Sequence, residues 1–188
     1  EGVEVESDGL VLQGEGDTRI DGLTHIHGRT AIDVRGPGIP IRDCTLRDFY
    51  DVGIKAPYAP DVQGCTLRDA HADATGVVLS TGSSGFTGNT FINTPTIADA
   101  QMDTLADLLD NNDLTAVTGS TIDVGGTLSG GLSLPADFIY RGFGELGSGA
   151  SLTLAPGTRW EGNGIAVAPG GILDAIGTAS DPIVFTSE

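Results

Sequence analysis

The chain has 188 residues, enough for one domain or one segment of a solenoid. Aromatic residues make up 5% and glycine occurs 29 times, which excludes a core of large rings and favours many tight turns, while a 39% hydrophobic fraction argues against disorder. With 26 acidic residues against 9 basic ones the net charge is −17, which excludes long-range attraction to nucleic acid or to an anionic membrane.

No apolar run approaches the roughly 20 residues of a membrane span. No basic segment followed by an apolar one opens the chain, as expected of a mature protein or an excised fragment. The acidity itself fits solubility, a high-salt habitat or a cation-rich exterior, without requiring a specific acidic site. Lys55 is the only lysine.

In chain order, Val3-Glu-Val5 is strand-like, and a repeat follows. Ile20-Asp-Gly-Leu-Thr-His-Ile26, Ile41-Arg-Asp-Cys-Thr-Leu-Arg47, Val62-Gln-Gly-Cys-Thr-Leu-Arg68 and Phe86-Thr-Gly-Asn-Thr-Phe-Ile92 align at a nearly constant interval. A second set, Gly9-Leu-Val-Leu12, Ala31-Ile-Asp-Val34, Gly53-Ile-Lys-Ala56 and Gly76-Val-Val-Leu79, recurs between them at much the same interval. Each short segment sets apolar residues two apart, the β period. Coiling such a repeat stacks Ile20, Ile41, Val62 and Phe86 over one another at the ladder spacing of about 4.8 Å. Stability then comes from rung-on-rung contact.

From Thr96 to Asn112 the period changes. Met102, Leu105, Leu108 and Leu109 have helical spacing, and Thr96 is a candidate cap. The expected element is a short helix near 97–110 that braces the solenoid. Beyond it, Leu152-Thr-Leu154, Ile165-Ala-Val167 and Ile183-Val-Phe185 read as strands, with corners at Gly170-Gly171 and Asp181-Pro182. The organisation is therefore 1–95 as rungs, 96–118 as a helical insertion, and 119–188 as further rungs cut short at the C-terminal end. Neither end shows a polar cap, so the natural chain is expected to continue.

The run Leu152-Thr-Leu-Ala-Pro-Gly-Thr158, Gly171-Ile-Leu-Asp-Ala-Ile-Gly-Thr178 and Asp181-Pro-Ile-Val-Phe-Thr-Ser187 resembles the repeat of right-handed parallel β-helix proteins of the pectin-lyase-like superfamily. It is especially similar to large secreted surface proteins of bacteria and archaea. The rungs from 20 to 94, including the corner at Asn89, resemble the same repeat. The resemblance implies an all-β, right-handed parallel β-helix (solenoid) with rungs of roughly 20–24 residues. It implies a secreted or cell-surface location. It carries over no catalytic residue, because no lyase or polygalacturonase motif is present.

The candidate ligand-facing residues follow from the register. Cys-Thr-Leu-Arg-Asp at 44–48 recurs at 65–69, which stacks Arg47 on Arg68 and Asp48 on Asp69 and extends the column to His27 and Asn93. Tyr50 and His71 adjoin it. Carboxylates on successive rungs suit Ca²⁺, which makes Asp48 and Asp69 a candidate calcium site and calcium the one cofactor in view. A pair about 5–9.5 Å apart also suits glycoside hydrolysis. The structural alternative is a solvated ladder in which Arg47 and Arg68 neutralise Asp43, Asp48 and Asp69. His25 and His27 alternate on one strand as a weak metal pair. Trp160, Tyr140 and Phe143 are further candidates for stacking on sugars. Cys44 and Cys65 fall in one column and are expected to be free thiols, because parallel Cβ vectors keep the Cβ atoms near the rung spacing, farther apart than is typical of a disulfide.

The function expected from these features is a non-catalytic structural or adhesive module that contacts a polysaccharide or another surface protein. Two alternatives stand beside it. One is a polysaccharide-active hydrolase or lyase using Asp residues on successive rungs. The other is a passive carbohydrate-binding module.

Overall fold

A computed structural model describes residues 3–5, 9–13, 18–58, 61–80 and 85–187. The protein is an all-β parallel solenoid of about eight turns with one short α-helix. The opening coil contributes β1 (Val3–Val5) and β2 (Leu10–Leu12). The next two contribute β3 (Ile20–Asp21) with β4 (Leu23–Val34), then β5 (Pro40–Arg42) with β6 (Thr45–Lys55). There follow β7 (Asp61–Gln63), β8 (Thr66–Arg68) and β9 (Thr75–Leu79), then β10 (Gly85–Thr87), β11 (Thr90–Ile92) and β12 (Thr96–Gln101). The helix α1 (Leu105–Asp110) comes next, preceded by a 3₁₀ turn at Met102–Thr104. The remaining coils hold β13 (Thr121–Gly125), β14 (Thr127–Leu128), β15 (Gly131–Leu134), β16 (Ile139–Leu146), β17 (Ser151–Leu154), β18 (Arg159–Val167), β19 (Ile172–Ala175) and β20 (Val184–Thr186).

A long sheet runs the length of the molecule in the order β1-β4-β6-β9-β12-β13-β16-β18-β20. Its inward column is Leu10, Ile32, Ile54, Val77, Ala98, Ile122, Tyr140, Trp160 and Phe185, each residue in register with the next. Along most of that column the side chains are removed from water, and each apolar one contributes about 1.5–3 kcal/mol against the entropy of ordering it. On a second face, β3, β5, β7 and β10 align Ile20, Ile41, Val62 and Phe86 in one parallel register, as the regular repeat requires. Ile41, Val62 and Phe86 are fully buried.

Glycine recurs where rungs come too close for a side chain. A Cβ at Gly76 would lie 2.6 Å from the Ile97 carbonyl oxygen, and one at Gly53 equally close to that of Gly76.

The helix begins later than its periodicity suggests. Thr96 caps nothing; it opens β12, which pairs with β9 on one side and β13 on the other. The long sheet is therefore continuous past the insertion. On the second face α1 takes the place of a strand, packed between β10 and the separate sheet β15-β17-β19. Asn112 joins helix to solenoid. Its Nδ2 donates to the carbonyl of Phe86 at 3.1 Å and to those of Asp107 and Leu108 at 3.0 and 3.1 Å, while its Oδ1 accepts from Asn89.

Candidate functional site

The predicted column lies at a corner between strand segments. His27, Asp48, Asp69 and Asn93 all take left-handed backbone conformations, with φ of 57°, 56°, 54° and 50°. An ordinary side chain costs roughly 1–2 kcal/mol there, and Asn, Asp and His are the non-glycine residues that tolerate it best. The residue types of this column thus have a conformational cause independent of any ligand. A parallel corner one step earlier uses Gly22, Asp43, Gly64 and Gly88 in the same way.

Around that corner the polar groups are linked. Asp69 accepts from Asn93 Nδ2 at 2.8 Å and from Arg68 Nε at 2.6 Å. These bonds, the Asn93 amide first and the Arg68 guanidinium second, hold its carboxyl below the ordinary range. Arg47 and Arg68 are register neighbours on β6 and β8. Tyr50 and His71 meet with ring centroids 3.7 Å apart and planes inclined by 32°, and both rings are exposed to solvent. The backbone bond from His71 N to Phe49 O, 3.0 Å, brings them together. The structure therefore brings Arg47, Arg68, Asp69 and Asn93 together before and at the corner, and Tyr50 with His71 as a ring pair after it; His27 and Asp48 hold corner positions of their own.

Other candidates separate. His25 is fully buried in register with Leu46, whereas His27 is exposed, because the left-handed corner breaks the strand alternation between them. They do not form a pair. Among the described residues no group of three or more His, Cys, Asp or Glu is arranged to hold a metal ion. Tyr140 and Trp160 belong to the core: both are fully buried and stack with centroids 6.2 Å apart. Their polar atoms are satisfied inside, Tyr140 Oη donating to Pro135 O at 3.0 Å and Trp160 Nε1 to Gly142 O at 3.2 Å. Burial, with Asp137 nearby, pushes the Tyr140 hydroxyl well above its usual range. Of the three proposed stacking residues only Phe143 is exposed.

The two cysteines are free, buried and adjacent, since Thr45 pairs with Thr66. The column continues into Asn89, whose side chain accepts from Cys65 N at 2.9 Å and donates to Val62 O at 3.1 Å. The thiol contact with Cys44 and then burial push Cys65 up, so it is a poor thiolate.

A further polar ladder is absent from the sequence-based expectations. On the outer face of the long sheet, Asp33, Lys55, Val78, Asp99, Asp123, Arg141 and Glu161 stand in successive register. Arg141 grips Asp123 with two bonds of 2.6 and 2.8 Å. Partial desolvation, and then the Asp123 charge, raise the Asp99 carboxyl above its ordinary value. Continuing the second repeat past Leu79 would have found Asp99, one rung beyond Val78.

Comparison with known proteins finds no matching family model, no matching curated protein and no matching solved structure. The class of the chain therefore rests on its own geometry, that of a parallel β-solenoid.

Proposed function

We propose that the chain is a non-catalytic recognition module of a secreted or cell-surface protein of the pectin-lyase-like type, and that it contacts carbohydrate along the corner from His27 to Asn93. The observation that carries this reading is the exposed Tyr50–His71 ring pair, with Arg47 and Arg68 as register neighbours on the strands that lead into the same corner. Sugars dock on such combinations, the ring faces meeting C–H groups and the guanidinium groups donating to hydroxyl or carboxylate oxygens. Asp69 is suited to binding rather than acid catalysis, since a general acid needs a raised pKa and this one is lowered. A calcium ion at Asp48 and Asp69 fits the same role as a bridge to an anionic glycan.

A second reading, a polysaccharide-active enzyme, draws on Asp99 and Asp123. They are register neighbours, one carboxyl raised and the other fixed by Arg141. Both stand on the outer face of the long sheet, with Asp99 exposed to water, which favours the first reading.

A glycan array with wild type, Tyr50→Ala and His71→Ala tests the proposal. The expected result is binding that falls about tenfold in either variant. Binding unchanged in both variants overturns the site. Release of reducing or unsaturated ends, abolished by Asp123→Asn, overturns the non-catalytic assignment.

A further inference from the structure

The two cysteines take no part in the surface site, and their column carries an inference of its own. Thr24, Thr45, Thr66, Thr90 and Asp113 pair in turn from rung to rung, so the residues before them, Leu23, Cys44, Cys65, Asn89 and Asn112, form one column. The fold asks this column for an acceptor to the backbone N–H of the rung before. Asn112 Oδ1 accepts from Asn89 N at 3.0 Å, and Asn89 Oδ1 from Cys65 N at 2.9 Å. At Cys65 and Cys44 sulfur takes over, accepting from the backbone N–H of Cys44 and of Leu23 in turn. Sulfur is a weak acceptor and an amide oxygen a better one. The backbone alone therefore does not call for two successive cysteines.

Both cysteines are buried, and their thiols hydrogen-bond to each other. The bond from Cys65 holds the Cys44 thiol below its ordinary range, and the same contact, with burial, pushes Cys65 up. The second proton thus stays between the two sulfurs. Carbonyl oxygens face the pair, Arg42 O at 3.1 Å from Cys44 Sγ, and Gln63 O at 3.6 Å and Ile41 O at 3.9 Å from Cys65 Sγ. A positive centre that replaced the protons would still lie among these oxygens. Asp43 and Gly64 stand exposed at the corner beside the pair, and the negative charge of Asp43 bears on both thiols, the direction that draws a cation in.

The spacing selects the cation. Rungs lie about 4.8 Å apart, and side chains that leave them in parallel keep their sulfurs near that separation. It is too wide for an S–S bond of about 2.05 Å. Two metal–thiolate bonds of about 2.3 Å laid end to end span about 4.6 Å, which fits. A four-coordinate ion such as zinc lacks ligands here, since no group of three or more His, Cys, Asp or Glu is arranged to hold a metal among the described residues. Soft cations of the copper(I) class prefer thiolate, and two ligands in line satisfy them.

We propose that Cys44 and Cys65 form a buried two-coordinate site for one soft monovalent cation of the copper(I) class. The ion takes the place of the thiol protons, both of which pass to solvent, and the two sulfurs become its thiolate ligands. The backbone N–H groups of Leu23 and Cys44 support those thiolates from outside the ligand pair.

Silver(I), a redox-inert member of that class, is the probe, titrated into the reduced whole chain in chloride-free buffer. One ion per chain should bind and the melting temperature should rise, while zinc(II) at the same concentration should do neither. X-ray absorption at the silver edge should show two sulfur neighbours and no lighter ligand. Cys44→Ser and Cys65→Ser should each weaken binding by at least about tenfold. Two ions per chain, no binding, a lowered melting temperature, oxygen or nitrogen beside the silver, or unchanged affinity in either serine variant would each overturn the proposal. So would an intrachain disulfide in the folded protein. Stoichiometry and absorption are read on the wild type, so the test survives a variant that fails to fold.

Discussion

At Asp48 and its neighbours in the corner column, backbone conformation and ligand chemistry ask for the same residues, and substitution can separate them. Asp48 has a φ of 56°, where glycine is unstrained and a β-branched residue is not. Asp48→Gly should leave stability within about 0.5 kcal/mol, while Asp48→Val should lower it by about 1–2 kcal/mol, read from urea unfolding. Asp48→Asn keeps the turn and removes the charge. If the corner binds calcium, Ca²⁺ should raise the melting temperature of the wild type more than NaCl of equal ionic strength, and this variant should lose the difference. Equal effects of the two salts would reduce the site to charge screening. Asp99 gives the pH counterpart. Its folded-state pKa is raised above its ordinary 3.8, so the native state binds the proton more tightly than the unfolded chain. Its ionisation therefore costs stability above that raised value, and the cost disappears as pH falls through the window down to about 3.8. Asp99→Asn should raise the melting temperature at pH 7 and leave it unchanged near pH 3. The gain should stay under about 1 kcal/mol because the residue is exposed. A gain that grows toward low pH would contradict the assignment.

Among the elements, α1 shows what periodicity can and cannot tell. Met102, Leu105 and Leu108 are buried as their spacing suggests. Residues 97, 98, 100 and 102 are buried as well, and that pattern suits a strand end as readily as a helix start. Pairing of β12 with rungs on both sides decides for the strand, and such pairing joins residues a whole rung apart in sequence. The corner column was legible because its spacing is regular. The Asp99–Asp123–Arg141 ladder was not, because helical spacing interrupts the strand pattern between Asp99 and Asp123, and the interval from Asp123 to Arg141 is shorter than any in the earlier repeat. Asn112 is the joint between the helix and the solenoid. Asn112→Ala should destabilise the fold by about 2–4 kcal/mol, since it uncaps α1, removes the acceptor of the Asn89 backbone N–H and leaves the Asn89 side-chain amide with Val62 O alone. A loss below about 0.5 kcal/mol would show that α1 is held by its apolar face alone.

For the molecule as a whole, the question is whether α1 divides the solenoid into two cooperative units. Solenoid stability is a sum over rungs and their interfaces, so a weak interface separates the parts on either side. On one face the ladder does stop: β10 ends the first short sheet and β15 begins the next, with the helix between. On the long face it does not, since β12 and β13 pair across the insertion, with a register shift between Thr96 and Ala98. The buried column beneath runs unbroken through Val77, Ala98, Ile122 and Tyr140. The Asn89–Asn112 bonds add a polar link on the helix side. These contacts outweigh the break, and the chain should unfold as one unit. It carries its own reporters. Trp160, the only tryptophan, is buried after the helix, and the buried thiols Cys44 and Cys65 lie before it. Tryptophan emission and thiol reactivity followed through the same urea titration should share one midpoint and one slope. The thiol assay should also count about two reactive groups per denatured, non-reduced chain, since both cysteines are free. Thiols exposed at lower urea than the tryptophan would mean that α1 is a boundary, with the rungs before it the weaker half.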